Sequence, residues 1–488
     1  MAIPSPHVLF VASECFPLIK TGGLADVIGA LPLALEVSGH NVHVMIPGFP
    51  AVMEAARDIK QIAKIKALFG GQGTLYSARS DTGLNLVILE ARHLFGVAGN
   101  PYQGADGKDR PDNFLRFAAL ANVAADLANG DLLNGWRADI VHAHDWQAGL
   151  CAAYLSTKPY SKVQSVFTIH NLAFQGLFPK ATFAHLGLPS DMFSQEGLEY
   201  WDQVSFLKAG VIYSDRITTV SPTYAREIQT DDAGMGLGGL LKSRSNKISG
   251  IRNGIDTNIW DPQNDPALAK PYSASAIANK SANKAALQQE YGLEPTDDAP
   301  LFCVVSRLTE QKGLDLLVGA IPHIVGNGGQ LAVLGSGDAD LERSLTAAAK
   351  AFPGQIGLRI GYDEPLAHRL QAGADAIFVP SRFEPCGLTQ LCALRYGTIP
   401  IVARVGGLAD TIVDTNEAAL MAKAGNGIQF SPVTFDALIG AIDRFFALYQ
   451  DRQVFAALRR RAMKQDVSWA QPAQEYSNIY SALLSQAD

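Results

Sequence analysis

Arg307 and Lys312 stand five positions apart in the run Ser306-Arg307-Leu308-Thr309-Glu310-Gln311-Lys312-Gly313, immediately after an apolar, strand-like segment. A forked guanidinium and a mobile ammonium at one strand end suit a diphosphate, because together they neutralise negative charge accumulating on a leaving group. Taken alone, the same pair would be two surface cations. Glu384 sits in Arg382-Phe383-Glu384-Pro385-Cys386-Gly387-Leu388-Thr389-Gln390, with apolar strand before it and helix after. A carboxylate there either caps the helix or, beside a sugar, binds hydroxyls and offsets positive charge at an anomeric carbon. His170 and Asn171 close the apolar run Val166 to Ile169. That imidazole is either a satisfied core group or a partner for hydroxyl and carbonyl oxygens.

The pentapeptide Gly-Gly-Leu-Ala-Asp occurs twice, at Gly22 to Asp26 and at Gly406 to Asp410, each time between an apolar strand-like run and a helix-like one. Paired glycines at such a turn let backbone N–H groups approach a ligand, and the following helix turns its positive end toward an anion such as phosphate. The alternative is a tight turn with no ligand. Two further patterns resemble metal sites and are read otherwise. His142 and His144 share one face of a strand, but no third ligand is evident. Asp338-Ala339-Asp340 follows Gly335-Ser336-Gly337 at a helix start and reads as a cap, and those glycines lack the third of a dinucleotide fingerprint. No metal is expected.

These residues need strands to hold them. Val8 to Ala12, the glycine turn, a helix around Leu24 to Val37 and a strand at Asn41 to Ile46 make a βαβ opening. From Ala63 to Ala91 the pattern predicts antiparallel strands decorating the first domain, and strands resume at Ile140, Val163, Arg216 and Ile248. A Pro-, Asp- and Ser-rich stretch from Asp261 to Lys280 is the linker candidate. Six compact strands then alternate with helical segments, and everything from Phe435 onward looks helical. Short apolar strands separated by helices mean a parallel sheet covered on both faces. The expected division is 1–262, 263–465 and a terminal helix 466–488, with pattern leaving open which domain that helix joins. Two doubly wound domains bind ligands outside the carboxyl ends of their strands, so chemistry is expected at Lys20, Gly22 and Gly23, at His144 and Asp145, at His170 and Asn171, at Arg307 and Lys312, at Gly361 and Tyr362, and at Glu384 to Gly387.

A length of 488 residues with 48% hydrophobic content fits two packed domains, and a net charge of −7 gives no general pull toward nucleic acid or an anionic membrane. The five scattered cysteines suit neither disulfides nor a zinc site and imply a reducing cytoplasm. No signal peptide and no apolar run of membrane-spanning length is recognised.

Lys20 to Val27, the run from His142 to Trp146, Phe167 to Asn171, Thr218 to Ile228, Ile251 to Asp256, Arg307 to Gly313 and Glu384 to Gln390 closely resemble the bacterial glycogen synthases and plant starch synthases, in the family's order over nearly the whole chain. The resemblance implies an α/β GT-B fold, two Rossmann-like domains facing a central cleft. It further implies retaining transfer of glucose from ADP-glucose to the non-reducing 4-hydroxyl of an α-1,4-glucan such as glycogen, with no cofactor beyond the donor. Carried over, it sets Lys20 by the donor, Gly22 and Gly23 near the diphosphate, Arg307 and Lys312 on the leaving ADP, and Tyr362 near the adenine. His170, Asn171, Glu384, Cys386, Gly387 and Leu388 would surround the glucose, and Asp145 would lie near the reacting centre or acceptor. The broader retaining pattern has a second glutamate eight positions after the first, where this chain has Cys392; the glycogen synthase branch is similar in lacking it. Cys386 reads as a packing residue rather than a nucleophile. A GT-B transferase using a UDP-sugar or a different acceptor and a catalytically silent glucan-binding protein are the competing readings; a nicotinamide dehydrogenase fails for want of a complete Gly-x-Gly-x-x-Gly.

Overall fold

The computed structural model describes residues 5–104 and 106–487. Its contacts divide the chain into two units. Unit 1 comprises the described residues up to Asn253 together with those from Trp469 onward, and unit 2 is Gly254–Ser468.

Unit 1 is built on a nine-stranded sheet. In chain order its strands are β1 (His7–Val11), β2 (Asn41–Pro47), β3 (Arg57–Leu68), β4 (Gly71–Arg79), β5 (Asn85–Glu90), β6 (Ile140–His144) and β7 (Gln164–Ile169). A separate small antiparallel sheet follows, made of β8 (Leu177–Pro179), β9 (Glu199–Tyr200) and β10 (Gln203–Ser205), before β11 (Arg216–Thr219) and β12 (Ile248–Gly250) return to the main one. The main order is β12-β11-β7-β6-β1-β2-β5-β4-β3. The chain thus winds outward from β1 in one direction through β2 and in the other from β6, and the reversal lies between β1 and β6. At that point the connections leave in opposite directions and open a crevice at the strand ends.

The expected antiparallel decoration is confined to β3 and β4. β5 pairs antiparallel with β4 but parallel with β2. Its run Leu86 to Leu89 is buried throughout, and a strand buried on both faces belongs in the parallel sheet.

Unit 2 has one sheet of six parallel strands. They are β13 (Leu301–Val305), β14 (Gln330–Gly335), β15 (Ile356–Ile360), β16 (Ala376–Val379), β17 (Ile399–Ala403) and β18 (Ile428–Phe430), in the order β15-β14-β13-β16-β17-β18. The reversal here lies between β13 and β16. Phe302 of β13 stacks on Phe378 of β16 with ring centroids 5.1 Å apart, and Phe445 closes on Phe302 at 5.0 Å. This aromatic centre fixes the two strands whose ends carry Lys312 and Glu384.

The stretch from Asp261 to Lys280, expected as a linker, is built into unit 2. Buried Asp265 accepts hydrogen bonds from His368 Nδ1 at 2.7 Å and Tyr396 Oη at 2.5 Å. Buried Lys280 donates to the carbonyls of Gln371 and Ala372 and to Thr398 Oγ1 at 2.8–3.0 Å. Its polar residues are therefore internal partners, which composition alone does not distinguish from solvated linker residues. The Ile255 N–H reaches Val467 O at 2.8 Å, so the two ends of unit 2 are pinned together.

The last helix, Ala470–Ala487, packs in unit 1. Tyr480 Oη pairs with His142 Nδ1 at 2.7 Å, and Ser477 Oγ with His40 Nε2 at 2.8 Å. Among the described residues no helix is long and apolar enough to cross a membrane.

Candidate active site

In unit 1 the loop after β1 carries Lys20, Gly22 and Gly23, and Glu14 organises it. The Glu14 carboxylate is buried. It accepts from the Thr21 and Gly22 N–H groups, from Thr21 Oγ1 at 2.6 Å and from Tyr102 Oη. Burial and the adjacent Glu14 charge hold the Tyr102 phenol well above its ordinary range, so it remains a donor. The Gly22 amide, expected to face a diphosphate, is thus turned to an internal carboxylate at 3.2 Å. Gly23 opens the helix Gly23–Val37. Lys20 Nζ is held by Asp26 at 2.8 Å and lies 5.3 Å from the Phe16 ring centroid.

Asp145 follows β6 directly, across the strand-order reversal from Glu14. Its φ is 55°, a left-handed backbone that a side chain tolerates only when surroundings impose it. Here the imposition is visible. Asp145 Oδ1 accepts from the His170 N–H at 2.7 Å and the Asn171 N–H at 3.4 Å, tying the end of β6 to the end of β7. Burial lifts the carboxyl from 3.8 to about 7 against the pull of those two amides, and the Glu14 charge adds to the rise. His144 Nδ1 meets His170 Nε2 at 3.0 Å. Burial lowers His170 to about 3 and His144 well below its ordinary value, so both rings are neutral at neutral pH. His142 is held on both nitrogens, by Tyr480 and by Thr168 Oγ1 at 2.6 Å. Asn171 Oδ1 accepts from the Ala173 N–H at 3.0 Å.

The raised Asp145 has a stability consequence. Between the ordinary aspartate range near 4 and about 7, the folded carboxyl keeps a proton that the unfolded chain has released. Its contribution is therefore greatest at the acid end of that window and is lost as pH rises through about 7. Asp145→Asn retains an Oδ1 acceptor and does not titrate. Its denaturant midpoint should decline less than the parent's from about pH 5 to about pH 8, followed by tryptophan fluorescence.

In unit 2 the loops after β13 and β16 are stitched together. Lys312 Nζ donates to Glu384 Oε2 at 2.6 Å, and Ser381 Oγ donates to the same oxygen at 2.9 Å. Both charged side chains are largely buried, 18% and 8% exposed. Arg382 binds Asp315 through two 2.6 Å contacts and donates to Glu310 O, while the Arg382 N–H reaches Gln311 O at 2.8 Å. Gly313 has φ 67°, and a Cβ there would lie 2.0 Å from Pro380 O. Only glycine lets the two loops approach this closely.

Arg307 is exposed on the same loop, and its guanidinium has no protein partner among the described residues. Gln390, buried, donates to Cys386 O at 3.1 Å and Gly387 O at 2.7 Å, which shapes the turn from Glu384 to Leu388. Cys386 and Cys392 are both buried thiols. Tyr362 follows β15 with its ring 68% exposed and its hydroxyl 2.5 Å from Glu364. Asp338 caps a helix through the Asp340 and Leu341 N–H groups, as its position suggested.

In the second glycine pair the Gly407 amide is used internally. The Gly407 N–H donates to Glu384 O at 3.0 Å and Pro385 O at 3.2 Å, and a Cβ on Gly407 would lie 2.2 Å from Cys386 O. The pentapeptide at 406 therefore buttresses the Glu384 turn from behind. Sequence reading missed Glu14, Tyr102 and Ser381. Glu14 did carry a signal, being a lone acid right after the first apolar strand.

The starch synthase catalytic domain family matches residues 7–243, and glycosyl transferases group 1 matches 289–461. The chain is 54% identical over 479 residues to a glycogen synthase of Rhodopseudomonas palustris, covering 98% of this chain and 99% of that one. It is 54% identical over 478 residues to a glycogen synthase of Roseobacter denitrificans, with the same coverage, 98% and 99%. Among solved structures it resembles the catalytic domain of starch synthase IV from Arabidopsis thaliana bound to ADP and acarbose. That match has TM-score 0.90 and 32% identity over 99% of this chain and all of that one. A sucrose-phosphate synthase from Thermosynechococcus elongatus, at TM-score 0.61 and 17% identity over 99% of this chain and 100% of that chain, shares the fold.

Proposed function

The chain belongs to the glycogen and starch synthase family of glycosyltransferases and has its GT-B fold, and from that premise we propose how its residues divide the work. The reaction is retaining transfer of glucose from ADP-glucose to the non-reducing 4-hydroxyl of an α-1,4-glucan.

The observation that carries the assignment is the Lys312–Glu384 pair at the strand-order reversal of unit 2, with Arg307 on the same loop. Breaking the donor bond leaves charge on a phosphate oxygen. Arg307, exposed on its loop, and Lys312, already fixed by Glu384, meet that charge without a metal. Glu384, with its second donor Ser381, is oriented toward the glucose, and its negative charge favours positive charge developing at the anomeric carbon. Cys386, Gly387 and Leu388 wall the sugar, and Tyr362 offers its open ring to the adenine.

In unit 1, Lys20 and the Gly23 end of its helix take the remaining phosphate charge, while the Gly22 amide stays with Glu14. His170 Nδ1, the ring nitrogen not used by His144, and Asn171 bind sugar hydroxyls. Asp145 holds the end of β6 in register and lies nearest the acceptor. The five buried cysteines fit a reducing cytoplasm.

Incubation with labelled ADP-glucose or UDP-glucose and glycogen tests the donor. Label from ADP-glucose should enter polymer, and incorporation from UDP-glucose alone would overturn the reading. Arg307→Ala should lower turnover about a hundredfold. Its unfolding midpoint should hardly move, since the residue is exposed.

A further inference from the structure

Trp201 is 81% exposed, and it sits where an aromatic residue is poorly accommodated. Trp201 and Asp202 are the two residues joining β9 to β10, with φ of 52° and 57°. A two-residue hairpin loop with both φ positive favours Asn-Gly, because side chains crowd the backbone in that region. The sequence places a tryptophan and an aspartate there instead. A singly exposed aromatic needs no explanation; one on a backbone that disfavours it does.

The surroundings hold the turn in that shape. The Asp202 N–H donates to Glu199 Oε1 at 2.7 Å, and the Asp202 carboxylate pairs with Lys180 Nζ at 2.8 Å. Lys208, 6% exposed, donates to Gln195 O at 2.7 Å and to Glu199 O. Tyr200, one residue earlier, points inward and donates to Met235 O at 3.3 Å. A buried ammonium and three polar contacts thus fix a hairpin that leaves one indole facing solvent.

The other end of this small sheet rests on the candidate site. Phe178 of β8 packs on Trp146 at 5.8 Å and on Phe206 at 4.9 Å, and Trp146 directly follows Asp145. Phe174 and Leu177, 52% and 39% exposed, lie on the segment that leaves Asn171 for β8.

We propose that the Trp201 turn is a binding platform for a sugar ring of a long α-1,4-glucan, apart from the reacting end. The indole stacks on the apolar CH face of a pyranose, and the adjacent Asp202–Lys180 pair accepts from and donates to its hydroxyls. The proposal rests on the glucan reaction given above. It adds a hold on the polymer that a short acceptor does not use.

Trp201→Asn removes the ring and improves the turn, so it is not expected to unfold the hairpin. On native gels containing glycogen its retardation should weaken about five- to tenfold. KM for glycogen should rise by a similar factor, while kcat, the ADP-glucose KM and kinetics with a short α-1,4-oligosaccharide stay at parental values. Trp201→Phe should retain most of the glycogen retardation.

Unchanged retardation of Trp201→Asn would overturn the proposal. So would an equal loss with short and long acceptors, or a change in sedimentation showing that Trp201 instead meets a second copy of the chain. Failure of the parent protein to transfer glucose into either acceptor would count against the glucan reaction itself, whatever Trp201 does.

Discussion

Replacing Lys312 by alanine should lower turnover by about a hundredfold to a thousandfold, the loss expected when one preorganised donor is taken from a developing anion. The same change should destabilise the fold by about 3 kcal/mol, because it leaves the largely buried Glu384 carboxylate with Ser381 as its remaining side-chain donor. The two effects have different origins and can be separated. Glu384→Gln introduced together with Lys312→Ala removes the unpaired charge while keeping the volume, so most of the lost stability should return. Turnover should not. Labelled-glucose incorporation and denaturant unfolding on both single variants and the double variant complete the cycle. Recovery of activity in the double variant would mean that Lys312 serves only to neutralise Glu384.

The second large effect concerns two copies of one pentapeptide. Gly407→Ala should cost about 2–4 kcal/mol and most of the activity, since its new Cβ would sit 2.2 Å from Cys386 O and drive the Glu384 turn off its position. Gly22→Ala should be nearly silent in stability. No atom lies within 4 Å of a Cβ built there, and its φ of −159° is ordinary extended backbone. Thermal melts and glucose incorporation on the two variants decide the matter. Equal tolerance would mean that the turn from Glu384 to Cys386 can shift without consequence.

That contrast shows where sequence reading succeeds and where it stops. The strands of both sheets were legible because runs such as Leu301 to Val305 and Ile399 to Ala403 are apolar throughout, as strands buried on both faces must be. The loops that follow such runs were therefore placed correctly at strand ends, those carrying Lys312 and Glu384 among them. The role of each glycine pair was not legible. Whether a turn offers its N–H groups outward or spends them internally depends on partners elsewhere: Glu14 for Gly22, and the carbonyls of Glu384 and Pro385 for Gly407. The stretch rich in Pro, Asp, Asn, Ala and Ser after Asp261 misled for the same reason. Asp265 finds His368 and Tyr396 more than a hundred positions away, and its composition resembles that of a solvated linker. Local pattern reports burial and period well, and it reports nothing of a polar group's distant partner.

Unit 1 is discontinuous, with Gly254–Ser468 lying between its main body and the helix Ala470–Ala487. During synthesis β6 leaves the ribosome long before that helix does, so His142 must wait for Tyr480 while the whole of unit 2 is translated. Until that helix emerges, His142 lacks its Tyr480 partner, and ribosome stalling within unit 2 would leave both units unfinished.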